Sequence, residues 1–164
     1  MTNNKKILLV DDDIDVITIT QTILKHEGYE IITASNKKEG LEKAITEKPD
    51  LALLDVMMNT EFEGFELAEL IKESSETDAA VLMQTSINIL EANDTDVAGL
   101  AREYRNKMQN KDLDVILIQD PKSGNAGVDY INEGGNKVWL TVDGFIKKPV
   151  NSKVLLPAVK KLLR

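Results

Sequence analysis

Four short apolar runs each stop at a residue suited to handling a phosphoryl group, and this pattern constrains the chain more than any other. Ile7-Leu8-Leu9-Val10 ends in Asp11-Asp12-Asp13, and Leu51-Ala52-Leu53-Leu54 ends in Asp55. Val81-Leu82-Met83 is followed, after one residue, by Thr85-Ser86, and Phe145-Ile146 by Lys147-Lys148-Pro149. Continuous apolar runs of this length are expected of strands covered on both faces, as in a parallel sheet. In an open parallel sheet the carboxyl ends of the strands share one edge, and ligands bind there. Acidic, hydroxyl and cationic groups are thereby predicted to meet at one place.

The intervening segments carry helical patterns. Val16, Ile19 and Ile23 recur at helical spacing, and Gly28 ends that helix. Ile31-Ile32-Thr33 reads as a second strand. Asn36 with Glu39 resembles a capping box before the stripe Leu41, Ala44, Ile45, and Pro49 stops that helix. Phe65, Ala68 and Ile71 mark a third helix, and Ala80 to Met83 a fourth strand. Leu155, Ala158, Val159 and Leu162 form the stripe of a last helix from about Asn151, interrupted by Pro157, whose missing N–H should kink it. Repeated βα units imply an α/β fold with a parallel sheet.

The segment 88–140 is less regular. Val97, Leu100, Ala101, Tyr104 and Met108 make a helical stripe, with Arg102, Arg105 and Lys107 off it as a solvated basic face. Asp112 to Ile118 reads as a strand. A glycine- and asparagine-rich stretch follows from Pro121 to Asn136, and Val138-Trp139-Leu140 returns as a hairpin partner. Trp139 and Tyr130 are expected to pack this addition onto the domain.

The 164 residues suit one domain, 1–164, with no linker and no second domain expected. A hydrophobic content of 42% supports a real core. The absence of Cys excludes disulfides and thiolate metal sites. No apolar run reaches the length of a signal core or membrane span, so a cytoplasmic location away from membranes is expected. Residues 1–98 hold 8 basic and 21 acidic side chains and the remainder 12 and 7, an acidic front half that discourages non-specific nucleic-acid binding. Asp13 is read as the cap of the first helix and His26 as a structural cation near its C-terminus.

The chemistry open to these ends is specific. A carboxylate can attack a phosphoryl group to give an acyl phosphate. Both reactants are anionic, so a cation must lie between them, and Mg²⁺ prefers oxygen ligands. Asp11 and Asp12 are candidates to hold it beside Asp55, while Lys148 and Thr85 suit the equatorial oxygens of the transferred group.

The strings KKILLVDDD, PDLALLDVMM, EGFEL, VLMQTS and DGFIKKPV, in this order, resemble the receiver domain of two-component response regulators. The resemblance covers about the first 90 residues and the last 25. It implies a flavodoxin-like, doubly wound five-stranded parallel sheet of order 2-1-3-4-5 with helices on both faces, here with an inserted helix and hairpin between strands 4 and 5. It implies Asp55 as phosphoacceptor and Asp11, Asp12, Asp55 and the Met57 carbonyl as Mg²⁺ ligands. It further implies Thr85 as the phosphoryl-contacting hydroxyl, Lys148 as the site lysine, Phe145 with Thr85 as the switch pair, and a cis Lys148–Pro149 bond. The implied partners are a histidine kinase or phosphotransfer protein and a downstream protein reached by contact, with the segment 88–140 as candidate surface.

Two departures from the family pattern stand out. Asn59 replaces a usual proline beside the acceptor, and Thr85 and Lys148 are 63 positions apart, far more than the pattern requires. Two competing readings use the same residues: a degenerate receiver acting as a phosphorylation-independent scaffold, and a Mg²⁺-dependent phosphatase of the haloacid dehalogenase type, with its nucleophile in Asp11-Asp12-Asp13.

Overall fold

The computed structural model describes residues 5–58, 62–92, 96–108, 115–132 and 134–163. The expected units appear in order: β1 (Lys6–Val10), α1 (Ile14–His26), β2 (Glu30–Ala34), α2 (Lys37–Glu47), β3 (Leu51–Asp55), α3 (Glu63–Glu73) and β4 (Ala80–Thr85). After an added segment come β9 (Gly144–Lys147) and α5 (Ser152–Leu162). The main sheet has the order β2-β1-β3-β4-β9, with every pairing parallel. This is the predicted flavodoxin-like order, β9 taking the place of the fifth strand.

Local chemistry explains the helix starts. Asp13 caps α1, its side chain accepting from the backbone N–H groups of Asp15 and Val16, and Asn36 caps α2 by accepting from Glu39. Lys25 and His26 lie in the last turn of α1, where positive charge is favoured. Alternation along the buried strands then divides the core. Ile7, Leu9, Leu51, Leu53, Leu82 and Ile146 face α1 and α5, whereas Leu8, Val10, Leu54, Val81, Met83 and Phe145 face α2 and α3. Pro157 lies inside α5, which continues through it to Leu162.

The added segment holds more strand than its sequence suggested. It contains β5 (Ile89–Glu91), α4 (Val97–Met108), β6 (Val115–Gln119), β7 (Ala126–Ile131) and β8 (Lys137–Val142), forming a second sheet of order β5-β6-β7-β8. The predicted hairpin exists, but the partner of Val138-Trp139-Leu140 is β7, inside the stretch read as glycine- and asparagine-rich. Gly127 explains why a strand tolerates that composition: a Cβ there would sit 2.3 Å from the Trp139 ring. The expected start of β6 at Asp112 falls outside the described residues.

This second sheet alternates too. Leu117, Ala126, Val128, Tyr130, Leu140 and Val142 join the same core as Phe65, Met83 and Phe145, while Ile116 and Ile118 pack with Val97 and Ala101 of α4. The sheet therefore lies between the main domain and α4. Tyr130 fastens it, its ring 5.2 Å from that of Phe65 and its hydroxyl donating to Glu69 Oε2 of α3 at 3.0 Å. Trp139 instead packs on the α4 side, within the added segment, so the expected fastening to the main domain holds for Tyr130 and is corrected for Trp139, whose register on β8 turns its ring to the outer face of the second sheet.

The predicted solvated basic face is corrected at Arg105. Its Nη2 reaches the Asp129 carboxylate at 3.1 Å and the Asp129 carbonyl at 3.2 Å, across from α4 to β7. Arg102 is exposed as expected, and the side chain of Lys107 lies outside the described residues.

Candidate functional site

The main sheet brings β1, β3, β4 and β9 to a common carboxyl edge, and the candidate residues collect there. Oxygen atoms of Asp11, Asp12 and Asp55 lie within 4.8 Å of one another. Asp11 and Asp55 are only 2% and 5% exposed, whereas Asp12 is exposed. Lys148 Nζ lies 2.9 Å from Asp55 Oδ1 and 3.6 Å from Asp11 Oδ2. Among the described residues, the two buried carboxylates thus share one close ammonium, and the exposed third lies beside them.

The backbone holds these groups in place. The Asp13 N–H donates to Asp11 Oδ1 at 2.9 Å, and the Met57 N–H donates to the Asp55 carboxylate. Gly64, from the EGFEL string, packs directly on the end of β3: a Cβ there would lie 1.9 Å from the Asp55 carbonyl oxygen, so any side chain would displace that strand end. The Lys148 N–H donates to the Thr85 carbonyl at 2.8 Å, tying the ends of β4 and β9. The Lys148–Pro149 bond is cis, as the resemblance implied.

Electrostatics mark the edge as a place of unmet negative charge. Burial pushes the Asp11 carboxyl up to about 6; the Asp13 N–H and Lys148 oppose this, and the Asp55 and Asp12 charges add to it. Burial also raises Asp55 above the usual carboxylate range, against the pull of Lys148. For Lys148 burial acts downward, but its pairing with Asp55 and Asp11 outweighs that and raises it. The lysine therefore stays charged through the neutral range. Three hard oxygen donors so close together, with one cation between two of them, fit a hydrated divalent ion such as Mg²⁺.

Thr85 and Met57 also reach this edge, whereas Phe145 does not. Thr85 ends β4 and is buried, its Oγ1 accepting from the Ile87 N–H at 2.9 Å. Met57 follows β3 and is half exposed. Phe145 is buried on the opposite face of the sheet, in the core shared with the second sheet. Asn59 lies outside the described residues. One site residue escaped the sequence reading. Gln84 faces Asp55 in register across β3 and β4, is 2% exposed, and donates from Nε2 to Asp11 Oδ2 at 3.2 Å. A lone amide within an apolar strand was its only sequence signal.

Comparison with known proteins agrees with this fold. The family model described as the response regulator receiver domain matches residues 7–100, more than half of the chain. The chain is 40% identical over 159 residues to the transcriptional regulatory protein CpxR homolog of Haemophilus influenzae, covering 97% of this chain and 50% of that protein. It is 47% identical over 70 residues to the alkaline phosphatase synthesis transcriptional regulatory protein PhoP of Bacillus subtilis, covering 43% of this chain and 29% of that one. The chain thus spans half or less of the length of these relatives. Among solved structures, a CheY-like receiver domain protein from Methanospirillum hungatei superposes with a TM-score of 0.60 at 27% identity, covering 98% of this chain and 94% of that one. Vibrio cholerae chemotaxis protein CheY4, at 21% identity and a TM-score of 0.62 over 98% and 99% of the two chains, shares the fold.

Proposed function

The chain belongs to the response regulator receiver family, and from that premise we propose that it is a phosphorylation-dependent signalling receiver whose acceptor is Asp55. The observation that carries the proposal is the buried Asp55 carboxylate, 2.9 Å from Lys148 Nζ and grouped with Asp11 and Asp12. The donor is the phosphohistidine of a histidine kinase or phosphotransfer protein. An Asp55 oxygen attacks phosphorus, the O–P bond forms, and the N–P bond breaks with its electron pair returning to the imidazole nitrogen.

Asp11, Asp12, Asp55 and the Met57 carbonyl are the proposed holders of Mg²⁺. When bound, the ion supplies the charge neutralisation that lets two anionic reactants approach. Lys148 contributes a positive charge beside Asp55 and Asp11, and the Thr85 hydroxyl donates to a phosphoryl oxygen. Water attack at the same phosphorus later returns the carboxylate.

Added charge at Asp55 also gives a route outward. Drawing Thr85 toward the phosphoryl group competes with its contact to Ile87, two residues before β5 of the second sheet. Phe145 is the proposed second member of the switch. The second sheet and α4 are the proposed contact surface for a downstream protein.

Incubation with acetyl phosphate and Mg²⁺, followed by intact mass measurement, tests the reading. One phosphoryl adduct is expected, labile to base and to hydroxylamine as an acyl phosphate is, and absent from Asp55→Asn. No adduct with acetyl phosphate or with the cognate kinase would support the scaffold reading. Continued turnover of a phosphate ester by Asp55→Asn would support the phosphatase reading.

A further inference from the structure

We infer that Gln84 is a positioning residue of the cation site: its amide nitrogen sets the Asp11 carboxylate, and its carbonyl accepts from water carried in by a hydrated divalent ion. The inference rests on reading the acidic trio as a Mg²⁺ site. Gln84 stands on the sheet face that carries Leu82, opposite to Met83, and beside Asp55 in register. Its Nε2 donates to Asp11 Oδ2, the same oxygen that lies 3.6 Å from Lys148. The two oxygens of Asp11 are thereby held, Oδ1 by the Asp13 N–H and Oδ2 by Gln84. That arrangement fixes the rotation of a ligand whose burial and like-charged neighbours disfavour it.

The other end of the amide supplies the second observation. Gln84 Oε1 is fully buried and has no hydrogen-bond partner among the described residues. Leaving such an acceptor unmet costs about 1–3 kcal/mol, a cost that an apolar side chain in its place would avoid. Turning the amide over does not help, because it would set the carbonyl against the Asp11 carboxylate. A carbonyl accepts and cannot donate, so its missing partner is neither a phosphoryl oxygen nor another carboxylate. It is a donor, and because Oε1 is closed to water in this structure the side chain must shift when that donor enters. Mg²⁺ usually keeps several of its waters when proteins bind it, and water on a divalent cation is a strong donor. Groups that orient a metal ligand from behind in this way typically account for about 10–100-fold in metal affinity.

The test is a Mg²⁺ titration of the full chain by calorimetry, with side-chain amide spectra recorded on ¹⁵N-labelled protein. Wild type is expected to bind Mg²⁺, and Gln84→Met to bind it at least about tenfold more weakly. In wild type the Gln84 side-chain amide resonances should move on Mg²⁺ addition, a measurement that needs no variant. Equal Mg²⁺ affinity in wild type and Gln84→Met, or Gln84 amide resonances unmoved at saturating Mg²⁺, overturns the inference and leaves the receiver reading standing. Wild type that binds no Mg²⁺ overturns the cation-site reading and this inference with it.

Discussion

The two sheets bury carboxylates to the same depth and treat them in opposite ways. In the second sheet, Asp129 is 3% exposed and meets Arg105 through its carboxylate and its carbonyl. At the edge of the main sheet, Asp11 and Asp55 are equally buried but, among the described residues, share a single lysine, and Asp12 adds a third acidic group. One region has balanced its buried charge and gains packing order from it. The other keeps a deficit that an incoming cation can relieve. The contrast separates structure from chemistry more sharply than burial does, because a deficit of charge is retained against stability.

The largest expected effect comes from unbalancing the balanced pair. Arg105→Met strands Asp129 in the interior and should lower stability by about 3–5 kcal/mol in urea titration. Adding Asp129→Leu should recover most of that loss, since an apolar pair of similar volume is often neutral. A loss below about 1 kcal/mol for the single variant would mean that water reaches Asp129, and the contrast would fail.

The reverse is expected at the functional edge. Asp11→Asn removes charge from a site in deficit, so without Mg²⁺ it should raise stability at pH 7.5 by about 3 kcal/mol, judged from the upward displacement of its carboxyl from 3.8 to about 6. The same variant should lose Mg²⁺ affinity by calorimetry. A variant that is destabilised without the ion would show that the site is already balanced.

The pH dependence sharpens the point. The folded-state value for Asp11 lies above its unfolded value, so the folded chain binds more protons between about pH 4 and 6. Ion-free stability from Asp11 should therefore fall as pH rises through that window and level off above it. The Mg²⁺-dependent gain in melting temperature should move the other way, small near pH 5 and full by pH 7.5, because protons compete for the same oxygen atoms. Thermal melts with and without Mg²⁺ across this range measure both. A gain independent of pH would remove Asp11 from the ligand set.

The smallest effect tests the fastening of the second sheet. Tyr130→Phe keeps the ring against Phe65 and removes only the hydrogen bond to Glu69, so a loss of about 1 kcal/mol is expected. Hydrogen exchange should show it as faster opening of β6 to β8, with β1 and β3 unchanged. Equal loosening of both sheets would indicate one cooperative unit.

Much of the main domain was legible in the chain because its signals are local. A strand buried on both faces writes its whole length in apolar residues, and the polar residue that ends it is the site residue itself, as at Asp55 and Asp11. Caps are local as well, so Asp13 and Asn36 could be assigned from neighbours two or three positions away. The second sheet was harder. Its strands carry Gly127 and Asp129, residues that ordinarily argue against a strand, and they are tolerated only because Trp139 fills the space over one and Arg105 meets the other. β5 has three residues and no periodicity to read.

By itself, then, the order of residues determined the βα alternation and the common edge, and it named the aspartates, threonine and lysine that end the strands there. Each depends on patterns a few residues long. Only the tertiary structure decided that Gln84 belongs to the site, that Arg105 is a packing residue, and that a second sheet lies between the main domain and α4. Those facts rest on pairs such as Gln84 with Asp11, Arg105 with Asp129 and Tyr130 with Glu69, which no spacing encodes. Long-range pairing is chosen by the packing of whole surfaces, and the energy that selects it exists only once the chain has closed on itself.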